Sequence, residues 1–218
     1  MLEAMIYRLR TGCPWRDLPS EFGPWSSVYT RWRRWNLSGL WAGVLDLLAE
    51  KGRGTLRPLD ATHVKVHQDA SNPAGGQSGQ SLGRTKGGLN TKLTALVDLH
   101  GRAMQLTLAP GNRADVKAAG QIWAPTGKRI VGDKGYDSDA FRKSMAAEGV
   151  NTTIPSRSNR KRPAPFHRAH YRLRHRVENF FQRIKRWRAI STRYDKLHTT
   201  FLSSVQLVAI LDWLTSQV

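Results

Sequence analysis

The sequence predicts an α/β fold in which a mixed sheet is flanked by helices, behind a small helical region at the N-terminus. Three observations carry this. Hydrophobic residues make up 39% of the 218 residues, enough for one substantial core plus a small appendage. The first 50 or so residues keep a helical period of apolar positions, and the chain then changes to period-two segments. From there the order is three strands, helix, strand, helix, strand, long helix, which is an α/β order.

The elements follow in sequence. MLEAMIYRLR starts in helical periodicity with no cap before it, as if the helix begins upstream. GCPWRDLPSEFGPW is a turn-rich link, and Ser26 or Ser27 can cap the helix VYTRWRRW. GLWAGVLDLLAE is another amphipathic helix, and KGRGTLRP breaks the pattern, which sets a boundary between residues 1–52 and 53–218. LRPLDATHVKVH, TKLTALVDLH and RAMQLTLAP read as strands, the last two joined as a hairpin through HGR. Between the first two lies SNPAGGQSGQSLGRTKGG, whose glycines and serines predict a mobile segment. VKAAGQIWA reads as a helix and KRIVGDKGYD as a short buried strand ending in a turn. Asp137 or Ser138 then caps a helix that stops at Gly149, with Asp137 best explained as a cap. TTIP is a last short strand, SRSNRKRPAP a basic loop, and YRLRHRVENFFQRIKRW a long helix. FLSSVQLVAILDWL reads as a C-terminal core helix.

Charge restricts the function. Lys and Arg number 35 against 16 Asp and Glu, a formal net charge of +19. This implies a polyanionic partner, nucleic acid before an acidic membrane surface. The most apolar stretch is too short to span a bilayer and contains Gln206 and Asp212. No export signal opens the chain, and the single cysteine, Cys13, suits a reducing cytosol. The glycine-rich stretch lacks the order of a phosphate-binding loop, His63, His67, His167, His170 and His175 form no zinc pattern, and no serine or tyrosine stands out as a covalent nucleophile.

Three acids need an explanation. Asp60 interrupts a strand, where aspartate is disfavoured; read alone it fits an edge or turn residue better than a ligand. Asp133 follows a strand end and precedes Gly135, a place that suits a turn and a ligand site equally. Glu178 is the one acid in the most basic helical run. At ~100° per residue, Tyr171, Arg174, Glu178 and Lys185 share one narrow arc, next to the apolar arc of Val177, Phe180, Phe181, Ile184 and Trp187. Arg172, Arg176, Arg183 and Arg186 project on the far side. Alone, Glu178 is best explained by an ion pair with Arg174 four residues earlier, worth only ~0.3–0.5 kcal/mol if exposed. Together the three change the balance. Two strand-borne aspartates and one helix-borne glutamate converge when the helix packs over the sheet, and three carboxylates at one point repel unless cations neutralise them. Hard oxygen donors favour Mg²⁺ or Mn²⁺, and two such ions about 3.5–4 Å apart stabilise the attacking and leaving oxygens of a phosphodiester.

The run Tyr171, Arg174, Glu178, Lys185 matches the Y-(2)-R-(3)-E-(6)-K signature, and the chain resembles DDE transposases of bacterial insertion sequences. LDATHVK around Asp60, GRTKGGLNTKL, APGNRADV and VGDKGYDS around Asp133 support the resemblance, while RTGCPWRDLP with WRRW and GLW resembles the N-terminal region of the insertion sequence 5 group. The resemblance implies a ribonuclease H-like catalytic domain over residues 53–218, with Asp60, Asp133 and Glu178 as catalytic, metal-binding residues. It implies that Arg174 and Lys185 contact DNA phosphates or end bases and that Tyr171 supports or contacts the same strand. Members of the group usually have further helical sequence before the part matched here. The expectation is therefore a shortened product, one part of a frameshifted pair of reading frames, or a decayed copy.

Two further basic clusters are candidates for DNA contact: Arg31, Arg33 and Arg34 around Trp32 and Trp35, and Arg160, Lys161 and Arg162 in the loop before the long helix. A solvated basic face or loop is the plainer explanation of each. Asp98 and Asp115 are structural or supporting acids. The sequence reading is thus a metal-dependent transposase, acting through two Mg²⁺ or Mn²⁺ ions on double-stranded DNA at inverted-repeat ends and target, in the bacterial cytoplasm and nucleoid, as a homo-oligomer when active. Its rivals are a ribonuclease H-like nuclease without strand transfer and a DNA-binding remnant or regulator that does not cut.

Overall fold

The computed structural model describes residues 1–122 and 126–215. Three helices open the chain: α1 (Leu2–Thr11), α2 (Trp25–Leu37) and α3 (Leu40–Glu50). α1 ends at Gly12, whose φ of 73° lets its N–H return to the Arg8 carbonyl. The link to α2 is two single 3₁₀ turns, Trp15–Asp17 and Ser20–Phe22. The expected serine cap of α2 is not found. The helix starts at Trp25 behind Pro24, whose restricted φ presets the first turn, so Ser26 and Ser27 lie inside it. Trp32 is buried between Trp15 and Trp41, with both ring centroids 5.9 Å away.

The sheet contains β1 (Leu56–Val66), β2 (Gly83–Thr85), β3 (Gly88–Val97), β4 (Ala103–Pro110), β5 (Arg129–Val131), β6 (Asn151–Thr153) and β7 (Thr192–Arg193). β4, β3 and β1 are antiparallel neighbours; β5 and then β6 join β1 in parallel. β2 extends the same side of β3 as β4, and β7 pairs with the far end of β1. The glycine-rich segment expected to be mobile contains a helical turn, α4 (Gly76–Gly79), and the β2–β3 hairpin. In the hairpin Gly88 has a φ of 97° and the Thr85 hydroxyl bonds to its carbonyl. The β3–β4 turn is fastened by Asp98, fully buried, which accepts bonds from the Arg102 side chain and from the backbone of His100, Arg102 and Arg53.

The helix expected over 116–124 is reduced to α5 (Asp115–Ala118) and a 3₁₀ turn, Ala119–Gln121. Gly120 weakens its continuation, and residues 123 and 124 lie outside the described residues. α6 (Asp139–Ala147) is capped by Ser138, which accepts from the Phe141 N–H. The cap expected at Asp137 is not formed. Its carboxylate is buried instead and accepts from the Arg142 and Arg160 side chains and the Arg157 N–H. The expected long basic helix is two, α7 (Arg168–Arg172) and α8 (His175–Ile184). Between them the N–H groups of Leu173, Arg174, Arg176 and Val177 bond three residues back, a tightened stretch that ends the α-helical ladder. α9 (Arg188–Ser191) and α10 (His198–Thr215) complete the chain.

Two apolar layers enclose the sheet. Val64, Leu93, Ala95 and Val97 pack with α1, α2, α3, α8 and α10, so the N-terminal helices share the core of the sheet. Leu59, Leu96 and Ile130 pack on the opposite side with Tyr136, Phe141, Met145 and Ile154. Alternation along β3, with Leu93, Ala95 and Val97 on one side and Leu96 on the other, is the period-two pattern that puts both layers on one strand. Val177, Phe180, Phe181 and Ile184 form the buried face of α8 as the helical arc requires. Arg183, expected on a free far side, pairs with Asp212 of α10. No helix among the described residues is long and apolar enough to cross a membrane.

Candidate active site

The site is built where β1 and β5 part. Their last paired residues are Pro58 and Val131, and Asp60 and Asp133 each lie two residues further along. The backbone of Asp133 stays extended, with φ −80° and ψ 178°. With a side-chain period of two, both carboxylates rise on the face of Pro58 and Val131. α8 packs on β1 and β3 and carries Glu178 in its first turn, and the residue before it is Arg174. Arg174 Nη1 donates to Asp60 Oδ2 at 2.8 Å, and Arg174 Nη2 donates to Glu178 Oε1. The fold thus brings together Asp60, Asp133, Glu178 and Arg174. The Tyr171 ring joins them, with the Arg174 guanidinium 5.9 Å from its centroid.

The electrostatics show how crowded this point is. Burial, opposed by the Ala61 N–H and Arg174 and reinforced by Asp133 and Glu178, pushes the Asp60 carboxyl up to about 6. Burial alone would lower Arg174, but Asp60 and Glu178 outweigh it and raise its pKa, so it remains charged. Two of the carboxylates share one guanidinium and a third, Asp133, acts on Asp60 nearby, an excess of negative charge that fits hard divalent cations in donor chemistry. Their arrangement is open. Among the described residues no group of three or more His, Cys, Asp or Glu side chains stands ready to hold a metal ion, and Arg174 spans two of the three acids.

Lys185 lies further along α8 and is docked on β1, donating to Thr62 Oγ1 at 2.6 Å and to the His63 carbonyl at 3.1 Å; burial lowers its pKa. Arg31, Arg33 and Arg34 are exposed on α2, which packs on α1, α3 and α10, apart from the acids. Arg160 is held by Asp137 and Asp139, while Lys161 and Arg162 are exposed in the same loop.

Sequence reasoning named Asp115 only as a structural or supporting acid and did not single out Tyr136. Asp115 pairs with Lys92 at 2.6 Å, and a Cβ on Gly135 would lie 3.2 Å from Asp115 Oδ2 and 2.8 Å from Asp133 Oδ1. A side chain at Gly135 would push one of these two carboxylates aside. Tyr136, fully buried, has a hydroxyl without a hydrogen-bond partner among the described residues; burial and then Asp60, Asp115 and Asp133 keep it protonated. The available signal was the aromatic in GYD directly after the strand-end glycine.

Comparison with known proteins identifies the family. Residues 1–45 match the family described as "Putative transposase of IS4/5 family", and residues 51–211 match "Transposase DDE domain". The chain is 30% identical over 131 residues to a Brucella ovis protein named "Putative transposase for insertion sequence element IS6501", covering 58% of this chain and 99% of that protein. It is 37% identical over 87 residues to the "Insertion element IS402 uncharacterized 16.2 kDa protein" of Burkholderia cepacia, covering 38% of this chain and 56% of that one. No solved structure matches the chain significantly. Antiparallel β4, β3 and β1 followed by parallel β5 and β6 form the ribonuclease H-like sheet of such domains, and these domains use divalent metal ions and act on DNA. With its DDE domain spanning most of its length and its acids carried by neighbouring strands and α8, the chain belongs to the DDE transposases of insertion sequences.

Proposed function

We propose that the chain cleaves DNA strands at the ends of an insertion sequence and joins the released 3′-hydroxyl to target DNA, with Asp60, Asp133 and Glu178 as its catalytic carboxylates. The observation that carries this reading is the matched position of Asp60 and Asp133 beyond Pro58 and Val131, facing Glu178 across Arg174. The three carboxylates would hold the divalent ions, two Mg²⁺ or Mn²⁺. Such ions supply charge stabilisation to the attacking and leaving oxygens of a phosphodiester. Arg174 neutralises part of the acid charge before DNA arrives and is placed to meet a phosphate once released from Asp60 or Glu178. Lys185, fixed to Thr62 on the strand that carries Asp60, positions α8 against β1 and adds positive charge beside the reacting strand. Tyr171 supports Arg174 from its ring face. The exposed arginines of α2 and of the 157–162 loop add sequence-independent attraction for duplex DNA. Pairing of two ends calls for more than one copy of the chain.

The test is nicking and strand transfer on duplexes carrying the flanking inverted repeats, with Mn²⁺ or Mg²⁺. Alanine at Asp60, Asp133 or Glu178 is expected to abolish product while sparing most DNA affinity; retained nicking in Asp133→Ala counts against the assignment. A second reading, a regulator that occupies ends without cutting, is favoured by one observation, the Arg174 bridge across two of the three acids. It expects salt-sensitive binding and no ion-dependent product from the unaltered chain. Pre-cut ends separate a nuclease from a transposase, since only the latter joins them to target.

A further inference from the structure

Two stretches of the sequence, GRTKGGLNTKL and APGNRADV, contribute none of the three acids, yet the fold brings them together. A Cβ on Gly83 would stand 2.3 Å from Asn112 Oδ1 and 2.8 Å from the Gly111 nitrogen, and one on Gly111 would stand 2.7 Å from Asn90 Cβ. The two backbones therefore meet at a distance only glycine allows. The Gly111 N–H donates to the Asn90 carbonyl at 3.1 Å, and Asn90 Nδ2 reaches Thr85 Oγ1 at 2.7 Å. Gly83 and Asn112 of this junction line a groove of about 1130 Å³ between α4, β2, the end of β4, α5 and the start of α10.

Its charge has one sign. Arg84, Arg113 and Lys117 line the groove and are exposed, and no aspartate or glutamate lines it among the described residues. None of these three cations has an ion-pair partner among the described residues, whereas Lys92, inside the wall, is satisfied by the Arg113 carbonyl and by Asp115. None of Asp60, Asp133 and Glu178 lines the groove, but one of its walls is continuous in sequence with a neighbour of Asp133. Asp115, on the segment that carries Arg113 and Lys117, shares the space around Gly135 with Asp133.

We propose that this groove holds the sugar-phosphate backbone of the DNA strand running to the acid cluster, with Arg84, Arg113 and Lys117 neutralising its phosphates. The inference rests on the reading of Asp60, Asp133 and Glu178 as the reaction centre and adds the path of the strand. The glycine contacts hold β2 against the end of β4; the three cations without an ion-pair partner among the described residues make sense if a polyanion follows the groove.

The experiment is equilibrium binding of a fluorescent inverted-repeat duplex in EDTA, so that no chemistry intervenes, across a salt series. Arg113→Ala/Lys117→Ala is compared with Lys51→Ala/Lys143→Ala, an equal charge change at exposed sites away from the groove. The groove double is expected to weaken binding at least about tenfold and to flatten the slope of log K against log salt by about 2, from two lost phosphate contacts. The control double is expected to leave the slope nearly unchanged. Equal slopes for the two doubles overturn the groove while leaving DNA binding in place. Failure of the unaltered chain to bind the duplex overturns the transposase reading and the groove with it. All four side chains are exposed, so matching melting curves are expected and keep a folding defect from imitating the result.

Discussion

One guanidinium, that of Arg174, joins Asp60 on β1 to Glu178 on α8 across the break that separates α7 from α8. The ion pair that explains Glu178 in the sequence is therefore present, and the same guanidinium also reaches Asp60. A cation needing both carboxylates competes with Arg174 for them. Arg174→Gln removes the competitor and leaves two acids without their counter-charge. Without divalent ions this variant should be less stable by ~1–3 kcal/mol, and Mn²⁺ should raise its melting temperature at lower ion concentrations than it does the unaltered chain. Melting curves across a Mn²⁺ titration check this; coincident midpoints would show that Arg174 and the ion do not compete.

Asp137 holds the basic loop. Its buried carboxylate accepts from Arg142, Arg160 and the Arg157 N–H, and these bonds keep its pKa below the usual carboxylate range although burial alone would raise it. Asp137→Ala leaves Arg142 without its ion-pair partner beside α6, while Arg160 keeps Asp139, a loss of ~3–5 kcal/mol. The loop over 157–162 should be cut by trypsin sooner than in the unaltered chain, in step with the fall in melting temperature. An unchanged cleavage rate would mean that the loop is held by other contacts.

Much of this was legible in the sequence for physical reasons. β1, β3 and β4 are long enough for period two to show, and the apolar arc of α8 predicted its buried residues. The signature spacing placed Arg174 and Glu178 on one side of a helix even though the helix proved to be broken, because the tightened turn keeps the right-handed sense. What stayed illegible depends on partners distant in sequence. Nothing local shows that Asp137 meets Arg160, that Lys92 reaches Asp115, or that Gly83 and Gly111 approach each other's segments. Pro24 against Ser26 was a local choice, decided by a fixed φ rather than by a side-chain hydrogen bond.

The β3–β4 turn should respond to acid. Burial would raise Asp98, but bonds from the Arg102 side chain and from the Arg102 and Arg53 N–H groups outweigh it and hold the pKa below 3.8. A carboxyl lowered in the folded state contributes stability that is present above its unfolded pKa and lost as pH falls through the folded value. Asp98→Asn should lower the melting temperature at pH 7 and make the further fall below about pH 4 shallower. Parallel acid-melting profiles for the two chains would remove Asp98 from the acid sensitivity.

Tyr136 separates packing from hydrogen bonding. Its ring is fully buried against Phe141, at 6.1 Å between centroids, and under Gly132, while its hydroxyl has no partner among the described residues. Phenylalanine keeps the ring and removes an unsatisfied polar group, so Tyr136→Phe should be neutral or stabilising by up to ~1 kcal/mol. Tyr136→Ala empties the ring's place in the layer below the sheet and should cost about 3–5 kcal/mol. Denaturant unfolding of both variants reads the two effects separately. A loss above about 1 kcal/mol in the phenylalanine variant would mean that the hydroxyl is bonded in solution, and the acids nearest to it, Asp60, Asp115 and Asp133, would then be the groups to replace next.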